Sequence, residues 1–217
     1  MKYDDKFNAM WEVMMERRAI QKKEEWFELS KIIKKSSKKD NVLEIGSLSG
    51  GTSYYFSKTF KNVVAIDMNK VDKLEENCTA IIGDSHSQEV VNKVRELGIK
   101  FDLIFIDGDH SYEGVKQDFL YYKEFLSEEG MIVFHDIISS DYHAGANCFV
   151  SLLWQEITKE YQFKEILYTG ELKEKHKLAH WINSMDPGSW GGIGIIYLKK
   201  LLMTNDELPI EKPGIIV

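Results

Sequence analysis

The feature that most constrains this chain is a run of short, wholly apolar segments set at regular intervals. They are Val42–Ile45, Val63–Ile66, Ala80–Ile82, Leu103–Ile106 and Met131–Phe134. Between them lie amphipathic stretches around Thr52–Phe60, Ser87–Leu97 and Tyr112–Leu126. Strands that are buried on both faces read as continuous apolar runs, and helical spacers supply the crossovers of a parallel sheet. A further helix is expected around Phe149–Tyr161, with strands at Phe163–Leu167 and Ile193–Leu198. The pattern predicts an α/β chain with an open, seven-stranded, mostly parallel sheet and helices on both faces. Ligands in such sheets bind at the carboxyl ends of the strands.

Residues 1–40 have helical spacing and form an N-terminal extension, with Trp11, Met14 and Met15 on one apolar face and Trp26, Leu29, Ile32 and Ile33 on another. Residues 41–200 form the main domain. The three prolines, Pro187, Pro209 and Pro213, all fall late, so 201–217 read as a tail.

Composition narrows the class. The 217 residues are 43% hydrophobic and 29% charged, which excludes a disordered or fibrous chain. A net charge of −7 disfavours general binding to nucleic-acid backbones. The cluster Lys31, Lys34, Lys35, Lys38 and Lys39 reads as a solvated helix end complementing the helix dipole. Two cysteines, Cys78 and Cys148, are too few for a disulfide framework and suit a reducing compartment. No apolar run reaches the roughly 18 residues of a membrane span, and the acidic start is unlike a secretory signal. A cytoplasmic protein without nucleic-acid or membrane partners is expected.

The first strand ends in Glu44-Ile45-Gly46-Ser47-Leu48-Ser49-Gly50-Gly51-Thr52 and leads into a helix, which is the form of a nucleotide-binding turn. A dinucleotide fingerprint needs a glycine where Leu48 stands, so that the backbone can approach a pyrophosphate. Leu48 therefore disfavours a nicotinamide oxidoreductase, and an adenosine ligand without pyrophosphate, such as S-adenosylmethionine, escapes the objection. Asp67 ends the second strand at the spacing of a carboxylate that accepts ribose hydroxyls. Gly83-Asp84-Ser85 ends the third, where Asp84 or Ser85 suits the adenine edge. Gly83 and Asp84 alone would be ordinary turn chemistry. In combination, Glu44, Gly46, Gly50 and Asp67, with Ser47, Thr52 and Met68 in the same turns, read as a donor site.

The blocks VLEIGSLSGGTS, VVAIDMN, IIGDSH, FDLIFIDGDHSYEGVKQDF and GMIVFHDI, in that order, resemble the successive motifs of class I S-adenosylmethionine-dependent methyltransferases. They are most similar to the family-24-like branch of macrocin-type sugar O-methyltransferases and cephalosporin-hydroxylase-like proteins, with catechol O-methyltransferases more distant. The resemblance covers roughly Asn41 to Leu198 and implies a Rossmann-like class I methyltransferase fold.

The fourth and fifth strands would deliver Asp107, His110, His135 and Asp136 to one sheet edge, a set suited to a divalent metal or to acid–base work. Oxygen ligands suit magnesium or manganese, and added imidazole leans towards manganese, iron or zinc. The resemblance implies metal ligation by Asp107, which also faces the donor, and by the pair His135 and Asp136. His135 departs from the pattern, because the relatives carry a carboxylate there. The resemblance also implies a general base at His110, which would take the proton of a hydroxyl as it attacks the donor methyl. The bland alternative for His110 is a cap on the following helix. Asp109 reads as a turn or cap residue.

Two segments would surround the acceptor. Ile137–Asn147 reads as a flexible loop, in which Tyr142 and His143 are candidates for acceptor contact. Gly170–Gly192, with His176, His180, Trp181 and Trp190, suits either a lid or a contact between copies of the chain. The expectation is an O-methyltransferase acting on a small hydroxylated molecule, with a magnesium or manganese ion. The alternatives are a metal-independent methyltransferase using His110 alone and a non-catalytic cofactor-binding module.

Overall fold

The computed structural model describes residues 2–71, 73–172, 183–200 and 214–216. Two helices come first, α1 (Asp5–Glu16) and α2 (Lys23–Lys35). They are followed by β1 (Asn41–Ile45), α3 (Gly51–Ser57), β2 (Asn62–Asp67), β3 (Cys78–Ile82), α4 (Gln88–Glu96), β4 (Phe101–Ile106), α5 (Tyr112–Tyr122) and β5 (Leu126–His135). The chain continues through α6 (Asp141–Gly145), α7 (Val150–Ile157), β6 (Tyr161–Tyr168), β7 (Ile193–Lys200) and β8 (Gly214–Ile216). Local chemistry sets several of the helix starts. Asp4 Oδ1 accepts from Phe7 N at 2.8 Å, Ser87 Oγ from Val90 N at 3.3 Å, and Ser111 Oγ from Gly114 N at 3.1 Å.

The strands run in the order β3-β2-β1-β4-β5-β7-β6-β8. Strands β1 to β5 pair in parallel, β7 is antiparallel to β5 and β6, and β8 joins β6 in parallel. The seven expected strands are all present. The short β8 adds an eighth at the edge, so residues 214–216 depart from the expected tail. The strand order reverses between β1 and β4, which is the switch point where ligands bind in this architecture.

Alternation explains why the strands read as continuous apolar runs. Leu43, Ile45, Ile104, Ile106, Ile132 and Phe134 face α4, α5 and α7, while Val42, Leu103, Phe105, Met131 and Val133 face α1, α2 and α3. Both sheet faces are therefore dry, and successive side chains along a strand serve different layers.

The N-terminal helices belong to the second of these layers. Trp26 is fully buried and meets Tyr55 of α3 edge-on at 5.3 Å between ring centroids and Phe105 of β4 at 5.6 Å. Lys22 and Glu25 reach across to the other end of the chain. Lys22 Nζ donates to Glu25 Oε1, to Tyr168 O and to Pro187 O, and Glu25 accepts from Tyr168 N and Gly192 N. Among the described residues, no helix is long and apolar enough to cross a membrane.

Because Trp26 ties the extension to the sheet, Trp26→Ala should cost about 3–5 kcal/mol of stability, and a loss under about 1 kcal/mol in denaturant unfolding would contradict the shared core.

Candidate active site

A cavity of about 750 Å³ opens at the carboxyl ends of β1, β2, β3, β4 and β5. One wall begins at the turn after β1. Gly46 has φ +85°, and a Cβ there would lie 2.1 Å from Asp107 O, so only glycine lets β1 and β4 approach this closely. Leu48 also has positive φ, 48°, and is 56% exposed at the cavity wall. Asp67 holds this turn in place. Its Oδ2 accepts from Ser47 N at 3.1 Å and Leu48 N at 2.8 Å, while Oδ1 accepts from Asn69 N at 2.9 Å and keeps capacity for a further donor.

Gly46, Ser47, Thr52, Asp67, Met68, Gly83, Asp84, Ser85 and Asp107 all line the cavity, together with His110, His135 and Asp136. Two residues expected at the donor site do not. Glu44 is fully buried, and its carboxylate accepts from the hydroxyls of Thr52 and Ser53, which pins α3 to β1 beneath the turn. Gly50 also lies outside the cavity wall, and its φ of +77° and close approach to Lys73 O, 2.9 Å from a built Cβ, make it a backbone requirement.

The chemistry-bearing edge is a cluster of two carboxylates and three imidazoles. His110 Nε2 lies 3.1 Å from Asp107 Oδ1, and its Nδ1 lies 3.6 Å from Asp136 Oδ2. His135 Nδ1 lies 3.3 Å from both Asp107 Oδ1 and Asp136 Oδ2. His143 Nε2 lies 3.4 Å from Asp136 Oδ1, with its Nδ1 2.6 Å from Ile138 O.

Burial pulls His110 down, but the hydrogen bond to Asp107 and the charges of Asp107 and Asp136 outweigh it and push the imidazole up to about 9. The same balance raises His135 well above its ordinary value and His143 to about 10. For the carboxylates, burial pushes upward, and the charge of His135 with the histidine hydrogen bonds wins, holding Asp107 low and Asp136 lower still. The directions agree on charged carboxylates among charged imidazoles. An unperturbed histidine near 6.5 is therefore not what this arrangement gives His110.

Ligand atoms from Asp107, His135 and Asp136 all lie within 4.8 Å of one another, and a second such set is His110, Asp136 and Cys148. Two carboxylate oxygens and an imidazole nitrogen make a donor set that fits a divalent cation. His110 is not the helix cap, since Ser111 fills that role, and Asp109 is a turn residue whose Oδ1 accepts from Ser111 N at 2.8 Å.

The segment after β5 is more ordered than its sequence indicates. Ser140 Oγ caps α6, accepting from His143 N and donating to Ser189 O at 2.5 Å. His143 is buried in place of being a solvated loop histidine, because it is held between Asp136 and Ile138 O. Trp190 is also buried on the cavity wall, with Lys22 Nζ 5.0 Å from its ring centroid. His176, His180 and Trp181 lie outside the described residues.

Sequence reasoning missed four contributors. Gln21 Nε2 donates to Asp107 Oδ2 at 2.9 Å, and Gly191 N donates to Asp136 Oδ1 at 3.0 Å. Cys148 stands beside His110 and Asp136. His86 lines the cavity near Asp84, with its Nε2 3.3 Å from the buried Asp118. Of these, only His86 had a sequence signal, its place at the end of the third strand.

The architecture is the class I methyltransferase fold. Residues 43–137 match the model of a methyltransferase domain. The chain is 31% identical over 110 residues to an uncharacterized protein of Acanthamoeba polyphaga mimivirus, covering 43% of this chain and 50% of that one. It is 35% identical over 75 residues to ribosomal RNA large subunit methyltransferase E of Archaeoglobus fulgidus, covering 35% of this chain and 39% of the other. The chain thus spans about half the length, or less, of these curated relatives. Among solved structures, the MycE methyltransferase of the mycinamycin biosynthetic pathway has a TM-score of 0.61 at 13% identity, covering 96% of this chain and 58% of MycE. That likeness is one of fold.

Glu44 gives a test of the buried anchor under the turn. Burial outweighs the two hydroxyl donors and pushes its carboxyl from an ordinary 4.5 up to about 8. Between those values the folded protein holds a proton that the unfolded chain has released, so Glu44 makes stability fall by up to about 1.4 kcal/mol per unit as pH rises. Glu44→Gln removes this slope. Urea unfolding at pH 5 to 8 should show the variant gaining on the wild type as pH rises, and a pH-independent difference would contradict the buried, protonated carboxyl.

Proposed function

We propose that the protein transfers the methyl group of S-adenosylmethionine to a hydroxyl of a small acceptor, with a divalent cation assisting. The observation that carries this reading is the meeting of Asp107, His135 and Asp136 beside His110, in the same cavity as the turn held by Asp67. Donor binding alone needs no such cluster. MycE, similar in fold, has been determined with magnesium, S-adenosylhomocysteine and mycinamycin VI, which supports a metal and a small-molecule acceptor.

In this reading Asp67 accepts the ribose hydroxyls, Asp84 and Ser85 meet the adenine edge, and Gly46 lets the donor lie against the β1 turn. Asp107, His135 and Asp136 would hold the cation. When bound, it supplies Lewis-acid polarisation of the acceptor oxygen and offsets the carboxylate charge that keeps His110 protonated. The acceptor oxygen attacks the methyl carbon as the carbon–sulfur bond breaks, leaving the neutral thioether. With Nε2–H of His110 donating to Asp107, Nδ1 takes the hydroxyl proton, and Asp136 stabilises the resulting imidazolium. Tyr142 and Trp190, which line the same cavity, are the candidates for acceptor contact.

One observation favours a metal-free variant of the same reaction: imidazoles already face both carboxylates at 3.1–3.6 Å. Chelation separates the two. The metal-assisted reaction should lose activity on exhaustive chelation and regain it with manganese or magnesium, and full activity after chelation would leave His110 working alone.

Two substitutions separate binding from chemistry. Asp67→Ala should weaken S-adenosylhomocysteine binding about tenfold or more, because a charge-assisted contact is lost. His110→Ala should lower the single-turnover transfer rate by about 10²–10⁴ with donor affinity unchanged. Unchanged affinity in the first variant would remove Asp67 from the ribose site, and wild-type rates in the second would remove His110 as the base.

A further inference from the structure

Gln21 lies in the turn between α1 and α2, where no motif marks it. Its side chain is 3% exposed and forms part of the cavity wall. Nε2 donates to Asp107 Oδ2 at 2.9 Å, and this contact fixes the orientation of the amide, since a carbonyl oxygen would not face a carboxylate. Oε1 is then the remaining end, and it is buried without a hydrogen-bond partner. Native proteins rarely leave a buried carbonyl so, and one on a cavity wall is a place for a ligand donor.

The surroundings select that donor. Asp107 Oδ2 stands beside Gln21, while His110 and His135 gather on Asp107 Oδ1, so the atoms next to Gln21 Oε1 on this side are acceptors. A carboxylate or phosphate would bring only acceptor atoms to these acceptors, and an N–H group supplies the missing donor. The two oxygens of Asp107 also divide their work: Oδ1 faces His110 and His135, while Oδ2 faces Gln21. A ligand reaching Gln21 from the nucleoside end at Asp67 is an adenosine whose tail carries an ammonium group.

Resting on the donor reading above, we propose that Gln21 Oε1 accepts a hydrogen bond from the α-ammonium group of the donor's amino-acid end, with Asp107 beside it supplying the compensating charge. The α1–α2 turn is then part of the donor site, and the N-terminal extension takes part in binding as well as in packing.

The test is calorimetry with S-adenosylhomocysteine and its deaminated 2-oxo-acid analogue, which differ at the α-nitrogen. Wild-type protein should prefer S-adenosylhomocysteine by about tenfold or more, the scale of a hydrogen bond to a charged group. Gln21→Met keeps the length of the side chain without its carbonyl, and should lose about tenfold on S-adenosylhomocysteine while binding the analogue as before. An equal loss on both ligands, or no loss on either, overturns the assignment. The preference of the wild type reads independently of the variant's folding, and discrimination below about twofold overturns the assignment by itself. Wild-type protein that binds neither ligand refutes the donor reading as a whole.

Discussion

Two half-buried carboxylates organise this protein. Asp107 follows β4 and Asp136 follows β5, and each is largely withdrawn from water, where an unpaired charge is costly. Compensation comes from several elements that meet at this edge of the sheet. His110 arrives on the turn before α5, His135 on β5 itself, His143 on α6, Gln21 from the α1–α2 turn, and Gly191 from the segment before β7. Removing either carboxylate would leave like-charged imidazoles facing one another, so the cluster is a structural centre as well as a chemical one.

The sheet makes this convergence possible. Parallel strands with dry faces can only end together at one edge, and the reversal of order between β1 and β4 opens the crevice there. Gly46 allows the crevice to be narrow, since its bare α-carbon passes the backbone of Asp107. The extension and the late segment then close the site from two sides. They are joined by Lys22 and Glu25, where burial pulls the lysine down and pushes the glutamate up, and where each charge is met by the other and by backbone groups of 168, 187 and 192.

What could be read from the sequence follows the range of the interactions. The strand runs and their crossovers are local patterns, so the architecture was legible from them. The strand-end motifs brought Asp67, Asp84, Asp107, His110, His135 and Asp136 to one cavity, because topology alone fixes where a strand ends. Glu44 lies under the turn on Thr52 and Ser53, off the cavity wall, and its motif position does not reveal that direction. Gln21 and Gly191 touch the carboxylates across 86 and 55 residues of sequence, and no local periodicity encodes such contacts. The order of 137–147 was hidden for the same reason: the cap of α6 is tied to Ser189, and His143 is held by Asp136.

The proposed role of Asp107, His135 and Asp136 is to hold a cation in the donor cavity. Anomalous diffraction at the manganese edge, from crystals grown with manganese and S-adenosylhomocysteine, tests it most directly. One strong anomalous peak is expected in contact with Asp107, His135 and Asp136, with the nucleoside on Asp67. Ordered S-adenosylhomocysteine with no peak at those three residues, or a peak elsewhere in the cavity, would overturn this assignment.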